Sequence, residues 1–221
     1  MKTNEELQRD VQNAIKWEPL LHAAEIGVTV QDGVVSLTGI VDSYAKKVEA
    51  ENATKNVIGV RAIVEKIEVQ VPNTWSKSDV EIANEVLSAF KHNWSIPSEK
   101  IKVKVEAGFV TLEGELPWNY QKVTAERAAS FLAGVRGISN HITIKSDSKE
   151  TLEKVDIEKA LRASTLDDSE ITVEVDNTTV TLIGVVNSWA QKEEAGRIAW
   201  NTPGIWHVKN ELLVDYEYAF T

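Results

Sequence analysis

Apolar and polar positions alternate along this chain in an order that is written three times. Leu7, Val11 and Ile15 fall at i, i+4 and i+8, the stripe of an amphipathic helix, and Thr3 with Glu6 ahead of them has capping-box spacing. Pro19 ends that helical region, and Trp17, Leu20 and Leu21 are expected to close the loop onto the core. A strand is predicted over 26–30, a tight turn at Gln31-Asp32-Gly33, and a second strand over 34–41 with Val35 and Leu37 on one side. Asp42 or Ser43 then caps a helix to about residue 56, with Ala45, Val48 and Ala53 inward. Gly59 stops it, and 62–71 supply a third strand that ends at Pro72.

The order then returns. Ser78 with Glu81 caps a helix that carries Ile82, Val86 and Phe90; strands are predicted near 101–106 and 109–116 around Ala107-Gly108. Pro117 opens a helix to about 132, and 138–144 form the last strand. The third copy is five residues shorter before its first strand. It has a helix over 151–163 with Ile157 and Leu161 on its stripe, strands near 171–175 and 179–186, a helix over 188–201 stopped at Pro203-Gly204, and a strand over 206–214.

Three phrases align the copies: Val35-Ser36-Leu37-Thr38-Gly39, Val110-Thr111-Leu112-Glu113-Gly114 and Val180-Thr181-Leu182-Ile183-Gly184. Twenty residues after each closing glycine stands another, Gly59, Gly134 and Gly204. Such an internal repeat decides the architecture before any other feature. The predicted fold is α+β: three tandem two-layer sandwiches over 1–72, 76–146 and 150–216. Each runs α-β-β-α-β, with two helices on one face of a three-stranded sheet. The other face lacks a cover within its unit, which is a reason to expect assembly. The linkers 71–77 and 146–149 are short and polar, so the units should touch, and the tail 215–221 is expected to dock or fray.

Composition narrows the function. None of the 221 residues is Cys, which excludes disulfides and thiolate chemistry. The net charge of −10 is uneven: 8 Lys/Arg against 11 Asp/Glu in 1–72, 9 against 8 in 73–146, and 7 against 15 in 147–221. Two acidic segments out of three argue against nucleic acid as a partner. The opening Met1-Lys2-Thr3-Asn4-Glu5-Glu6 leads into no apolar segment, and no run approaches a membrane span. The expected compartment is the cytoplasm, or the periplasm if a leader has been removed.

Candidate chemistry is sparse. His22, His92, His141 and His207 sit apart, without metal-ligand spacing. Asp167, Asp168 and Glu170 share a loop but lack the spacing of a calcium site. There is no nucleophile elbow and no glycine-rich phosphate loop. We therefore expect no catalytic residue, no metal and no cofactor. The sharpest local feature is Lys100-Ile101-Lys102-Val103-Lys104, whose period of two places three lysines on one strand face. Trp94 precedes them, and Trp118 and Tyr120 open the next helix. Lysines with such aromatics suit an anionic lipid surface or an acidic partner, the acidic third unit included. The plainer reading is a solvated face whose lysines guard an edge. Tyr44, Trp118 and Trp189 put one aromatic at or next to the start of every second helix, a shared packing or interface spot.

The Val-Thr-Leu-x-Gly strand, the Lys/Glu/Ala-rich helix and the Gly-Val or Gly-Ile some twenty residues later resemble the BON domain, named from bacterial osmotically inducible and nodulation proteins. The third copy follows the family's Gly-Val-x-x-Val-x-Asn ending most closely, with Gly204-Ile205-Trp206-His207-Val208-Lys209-Asn210. The second keeps Asn140, and the first has Glu65 at that place. The resemblance implies a binding module and not an enzyme, with links to osmotic stress, the bacterial envelope, mostly the periplasm, and anionic phospholipid. It makes Gly39, Gly114 and Gly184 the family glycine, with a structural role at a strand end.

The function expected from all this is a stress-associated scaffold that self-assembles or binds another protein. The alternatives are a peripheral binder of anionic phospholipid through the middle unit, and a transport-associated oligomer that handles small solutes.

Overall fold

The computed structural model describes residues 2–21, 25–145, 154–164 and 171–215. The first repeat is built from α1 (Asn4–Trp17), β1 (Ile26–Gln31), β2 (Val34–Val41), α2 (Tyr44–Lys55) and β3 (Ala62–Val69). The second has α3 (Asp79–His92), β4 (Ile101–Glu106), β5 (Phe109–Leu116), α4 (Asn119–Ser130) and β6 (Gly137–Ile144). The third has α5 (Lys154–Arg162), β7 (Ile171–Asp176), β8 (Thr179–Val186), α6 (Trp189–Trp200), and β9 (His207–Asn210) with β10 (Leu213–Val214). The α-β-β-α-β order is thus present three times. A single-turn 3₁₀ helix, Asn73–Trp75, lies between the first two repeats.

Local chemistry sets these elements. Thr3 and Ser78 are true capping boxes: each hydroxyl accepts the amide three residues on, and the Glu6 or Glu81 carboxylate returns to the cap amide at 2.8 Å. The stripes that follow are buried throughout, Leu7, Val11 and Ile15 in α1 and Ile82, Val86 and Phe90 in α3. At about 1.5–3 kcal/mol for each side chain taken from water, this burial outweighs helix propensity. The first two hairpins turn through two residues of positive φ, Asp32 with Gly33 and Ala107 with Gly108, the geometry of a two-residue hairpin loop.

Each sheet has its second strand in the middle. β1 pairs antiparallel with β2, β4 with β5, and β7 with β8. The crossover through the second helix then returns a parallel strand, with Phe109 opposite Gly137 and Thr179 opposite His207. The expected single last strand of the third repeat is interrupted at Glu211-Leu212, yet Leu213 stands opposite Val185 in unchanged register. β9 and β10 are therefore one edge strand with a break.

Two further expectations change. Leu21 is buried, but Trp17 and Leu20 are exposed, because α1 ends at Trp17 with its side chain outside the apolar stripe. In α2 the fully inward residues are Ala50, Ala53 and Thr54; Ala45 and Val48 are only half-buried. The helix starts at Tyr44 and its stripe is set by close packing of small residues toward its C-terminal end, a signal that hydrophobicity alone does not carry.

The chain divides into two compact units. One contains Met1–Gly39, Glu49–Ile67 and Ser148–Thr221; the other contains Ile40–Val48 and Glu68–Asp147. The first unit thus holds most of the first repeat together with the third. Within it Lys55 at the end of α2 pairs with Glu193 of α6 at 2.9 Å and with Glu51 at 3.0 Å. Burial lowers the Lys55 pKa, but the hydrogen bonds and charges of Glu193 and Glu51 outweigh it and hold it above the usual lysine value.

Candidate functional site: the open sheet faces

The strand period of two sorts each sheet into a face that meets its helices and a face that does not. In the middle repeat Ile101, Val110, Leu112, Leu116, Ile142 and Ile144 are buried on the helix side. On the other side Lys102, Lys104, Glu106, Glu113, Glu115 and His141 are all exposed. The first repeat does the same with Thr29, Gln31, Val34, Ile40, Val64 and Lys66, and the third with Thr172, Glu174, Asp176, Ile183, His207 and Lys209.

The lysine run has a definite geometry. Lys102 and Lys104 lie in β4 and share the open face, whereas Lys100 closes a single-turn 3₁₀ helix, Ser98–Lys100, just before the strand. Lys102 stands across from Glu113, which stands across from His141. The Lys104 ammonium is 2.8 Å from the Glu106 carboxylate, and this hydrogen bond and charge raise its pKa. The face is therefore a mosaic of both signs. Trp94 follows α3 and is 95% exposed. Trp118 occupies the N-cap of α4 without capping through its side chain and is half-buried. Tyr120 is exposed in the first turn of α4, in the helix layer. The structure thus brings Lys102 and Lys104 together and leaves Tyr120 on the other layer.

The repeat glycines hold this frame. A Cβ on Gly39 would sit 2.0 Å from the Glu25 carbonyl oxygen, and one on Gly114 would sit 2.3 Å from that of Lys100. No side chain fits there, because backbone fills the space. The later glycines turn the chain with positive φ after the second helix: 111° at Gly59, 90° at Gly134 and 88° at Gly204. Gly134 is pressed on Ile82 of α3, and Gly59 on Leu7 of α1.

The asparagine of the last strand is the centre of a clamp. Asn140 donates through Nδ2 to the Lys122 carbonyl at 3.3 Å and to Glu126 at 2.9 Å, and its Oδ1 accepts from the Ile142 amide at 3.2 Å. Lys122 completes the loop by donating through Nζ to the Ile142 carbonyl at 2.7 Å. Burial lowers the Lys122 pKa, with Glu126 as partial compensation. The third repeat repeats the device: Asn210 donates to the Lys192 carbonyl at 2.6 Å, and Lys192 to the Leu212 carbonyl at 2.7 Å. Strand and helix are locked reciprocally. The asparagine was visible in sequence, but its lysine partner, eighteen residues earlier, was not.

A depression of about 280 Å³ opens beside the start of α3, lined by Lys77, Ser78, Asp79, Gly108 and Arg136 among others. Two of its amide donors are already used: the Asp79 carboxylate accepts from Ala107 at 2.8 Å and from Gly108 at 2.9 Å. Asn4 makes the matching bond to the Asp32 amide in the first repeat, at 2.9 Å. Both tie a helix start to a hairpin turn.

Among the described residues no group of three or more His, Asp or Glu is placed to hold a metal ion. His92 lies in the last turn of α3, its Nδ1 2.7 Å from the Ser88 carbonyl oxygen, and His141 and His207 are exposed. His22, Asp167, Asp168 and Glu170 fall outside the described residues. No helix among the described residues is long and apolar enough to cross a membrane.

The chain shares sequence with known proteins. Osmotically-inducible protein Y of Escherichia coli (strain K12) is 28% identical over 129 residues, 57% of this chain and 64% of that protein, so the match spans just under two thirds of the relative's length. Among solved structures, the C-terminal domain of CdsD, the structural protein of the type III secretion system of Chlamydia trachomatis, aligns over 97% of this chain and 100% of its own at 16% identity, with a TM-score of 0.26. A second CdsD structure gives 16% identity over 96% and 94%, with a TM-score of 0.24. Neither superposition bears on what this chain does. The BON domain family model matches residues 3–71, 78–146 and 153–216, so this chain, with its three like-built repeats, belongs to the BON domain family.

Proposed function

We propose that the protein is a non-enzymatic binding and scaffold protein of tandem BON domains that self-assembles as part of an osmotic stress response. The observation that carries this reading is exposed apolar surface in each repeat: Ile40, Phe109 and Leu213 on the sheet faces away from the helices, and Val123 and Phe131 on the second helix of the middle repeat. Exposed surface of this kind suits contact with a partner. The likeness to Osmotically-inducible protein Y supports the stress setting. Sedimentation velocity over a range of concentrations tests the assembly. Species heavier than the 24.5 kDa chain are expected, and a single-chain mass at every concentration would overturn self-assembly.

A second reading, peripheral binding to anionic phospholipid through the middle repeat, draws support from Trp94 standing 95% exposed in the repeat that also carries Lys100, Lys102 and Lys104. Its weakness is the carboxylates of Glu106 and Glu113 beside those lysines, which cancel much of their pull on an anionic surface. Flotation with anionic vesicles decides it: binding that disappears when the three lysines become Glu favours lipid, and flotation that does not change removes it.

A further inference from the structure

Helix α4 carries an apolar stripe on its outward side. Tyr120, Val123, Arg127 and Phe131 follow at steps of three and four residues and so lie on one side of the helix. Phe131 is the C-cap and keeps helical backbone angles, which leaves it in line with the rest. Tyr120 is 46% exposed, Val123 53% and Phe131 55%. The sister helices lack this stripe. The aligned positions of α6 hold Ala190, Glu193 and Asn201, and those of α2 hold Ala45, Val48 and Asn56.

The same helix position already joins two repeats inside the chain. Glu193, which aligns with Val123, reaches from α6 to Lys55 of α2, within the compact unit that contains residues of both the first and the third repeat. The middle repeat has no sister copy of its own kind in its unit, which holds besides it only Ile40–Val48. It presents an uncharged version of that contact instead. Resting on the self-assembly reading above, we infer that the partner of this stripe is the α4 of a second copy of the chain, packed antiparallel about a two-fold axis. Such an interface meets itself, residue i on j and j on i. With the axis midway between Tyr120 and Phe131, each Tyr120 meets the partner's Phe131. The aliphatic stem of the partner's Arg127 covers Thr124 and Val123. Antiparallel helices also set opposite ends of their dipoles side by side.

Sedimentation equilibrium of the full chain tests this with exposed substitutions whose folding is checked by thermal melting. Tyr120→Lys and Phe131→Glu, taken singly, should each raise the dimer dissociation constant at least about tenfold. The combined variant should recover association, because the two new charges oppose each other across the axis. Lys16→Glu, exposed on α1 of the first repeat, should leave the mass unchanged. Single variants with the wild-type mass, or a combined variant as weak as the single ones, overturn the antiparallel α4 pairing while self-assembly stands. A wild-type chain that is monomeric throughout overturns both.

Discussion

The middle and third repeats are the same object inside and different objects outside. Both pair their last strand with the middle strand at an offset of 28 residues, Phe109 with Gly137 and Thr179 with His207. Both lock that strand to the second helix through an asparagine and a lysine. Yet the outward position that is Val123 in one is Glu193 in the other, and the residue before the helix cap is Pro117 in one and Asn187 in the other. The Asn187 amide donates to the Gln191 side chain at 2.7 Å. Pro117 has no amide hydrogen, and the Oε1 of the matching Gln121 is buried without a partner. Positions that touch backbone are held in common, and positions that touch solvent or a neighbour are where the copies diverge.

Substitutions can break the likeness or sharpen the difference. The largest loss should come from the shared glycines: Gly39→Ala and Gly114→Ala should each cost about 3 kcal/mol or more in denaturant unfolding, since strain at that backbone angle adds to a backbone clash. Next, Asn140→Ala and Asn210→Ala should cost about 2 kcal/mol each, through the carbonyls and amides they strand. Equal losses would confirm that the clamp is one device used twice. The capping glutamines should then separate the repeats. Gln191→Ala should cost about 1 kcal/mol, because it orphans an amide next to the helix start. Gln121→Ala should stay within about 0.5 kcal/mol or stabilise, because the group it removes has no partner.

The smallest effect should appear in the dependence on pH. Backbone and side-chain hydrogen bonds to Thr3 hold the Glu6 carboxyl below its usual pKa, and the side chain and backbone of Ser78 do the same for Glu81. A carboxylate lowered by folding contributes its stability above the unfolded value and loses it as pH falls through the folded one. Glu81→Gln should therefore lower stability slightly at neutral pH and leave it nearly unchanged in strong acid, which flattens the acid limb of the stability curve.

Much of this was legible in the chain itself. The strands around Asp32-Gly33 and Ala107-Gly108 announce themselves because period-two alternation and turn chemistry agree there. The stripes of α1 and α3 follow from spacing and capping boxes. The inward face of α2 does not, because Ala50, Ala53 and Thr54 are chosen for size where Val48 is more hydrophobic. The lysine run was visible as a pattern, but its cross-strand neighbour Glu113 enters only once the strands pair. Tyr120 stood out in sequence as an aromatic near a helix start, but Val123 and Phe131 did not, and only their exposure sets them beside it.

The central claim is that these repeats share an interior and act through their differing exteriors. Val123→Glu tests it most directly by giving the middle repeat the residue that the third carries at that place. Sedimentation equilibrium of this variant beside the wild type should show an unchanged fold by circular dichroism and a fall to the 24.5 kDa mass of one chain. A folded variant that keeps the wild-type mass, or a wild type already of that mass, would contradict the account.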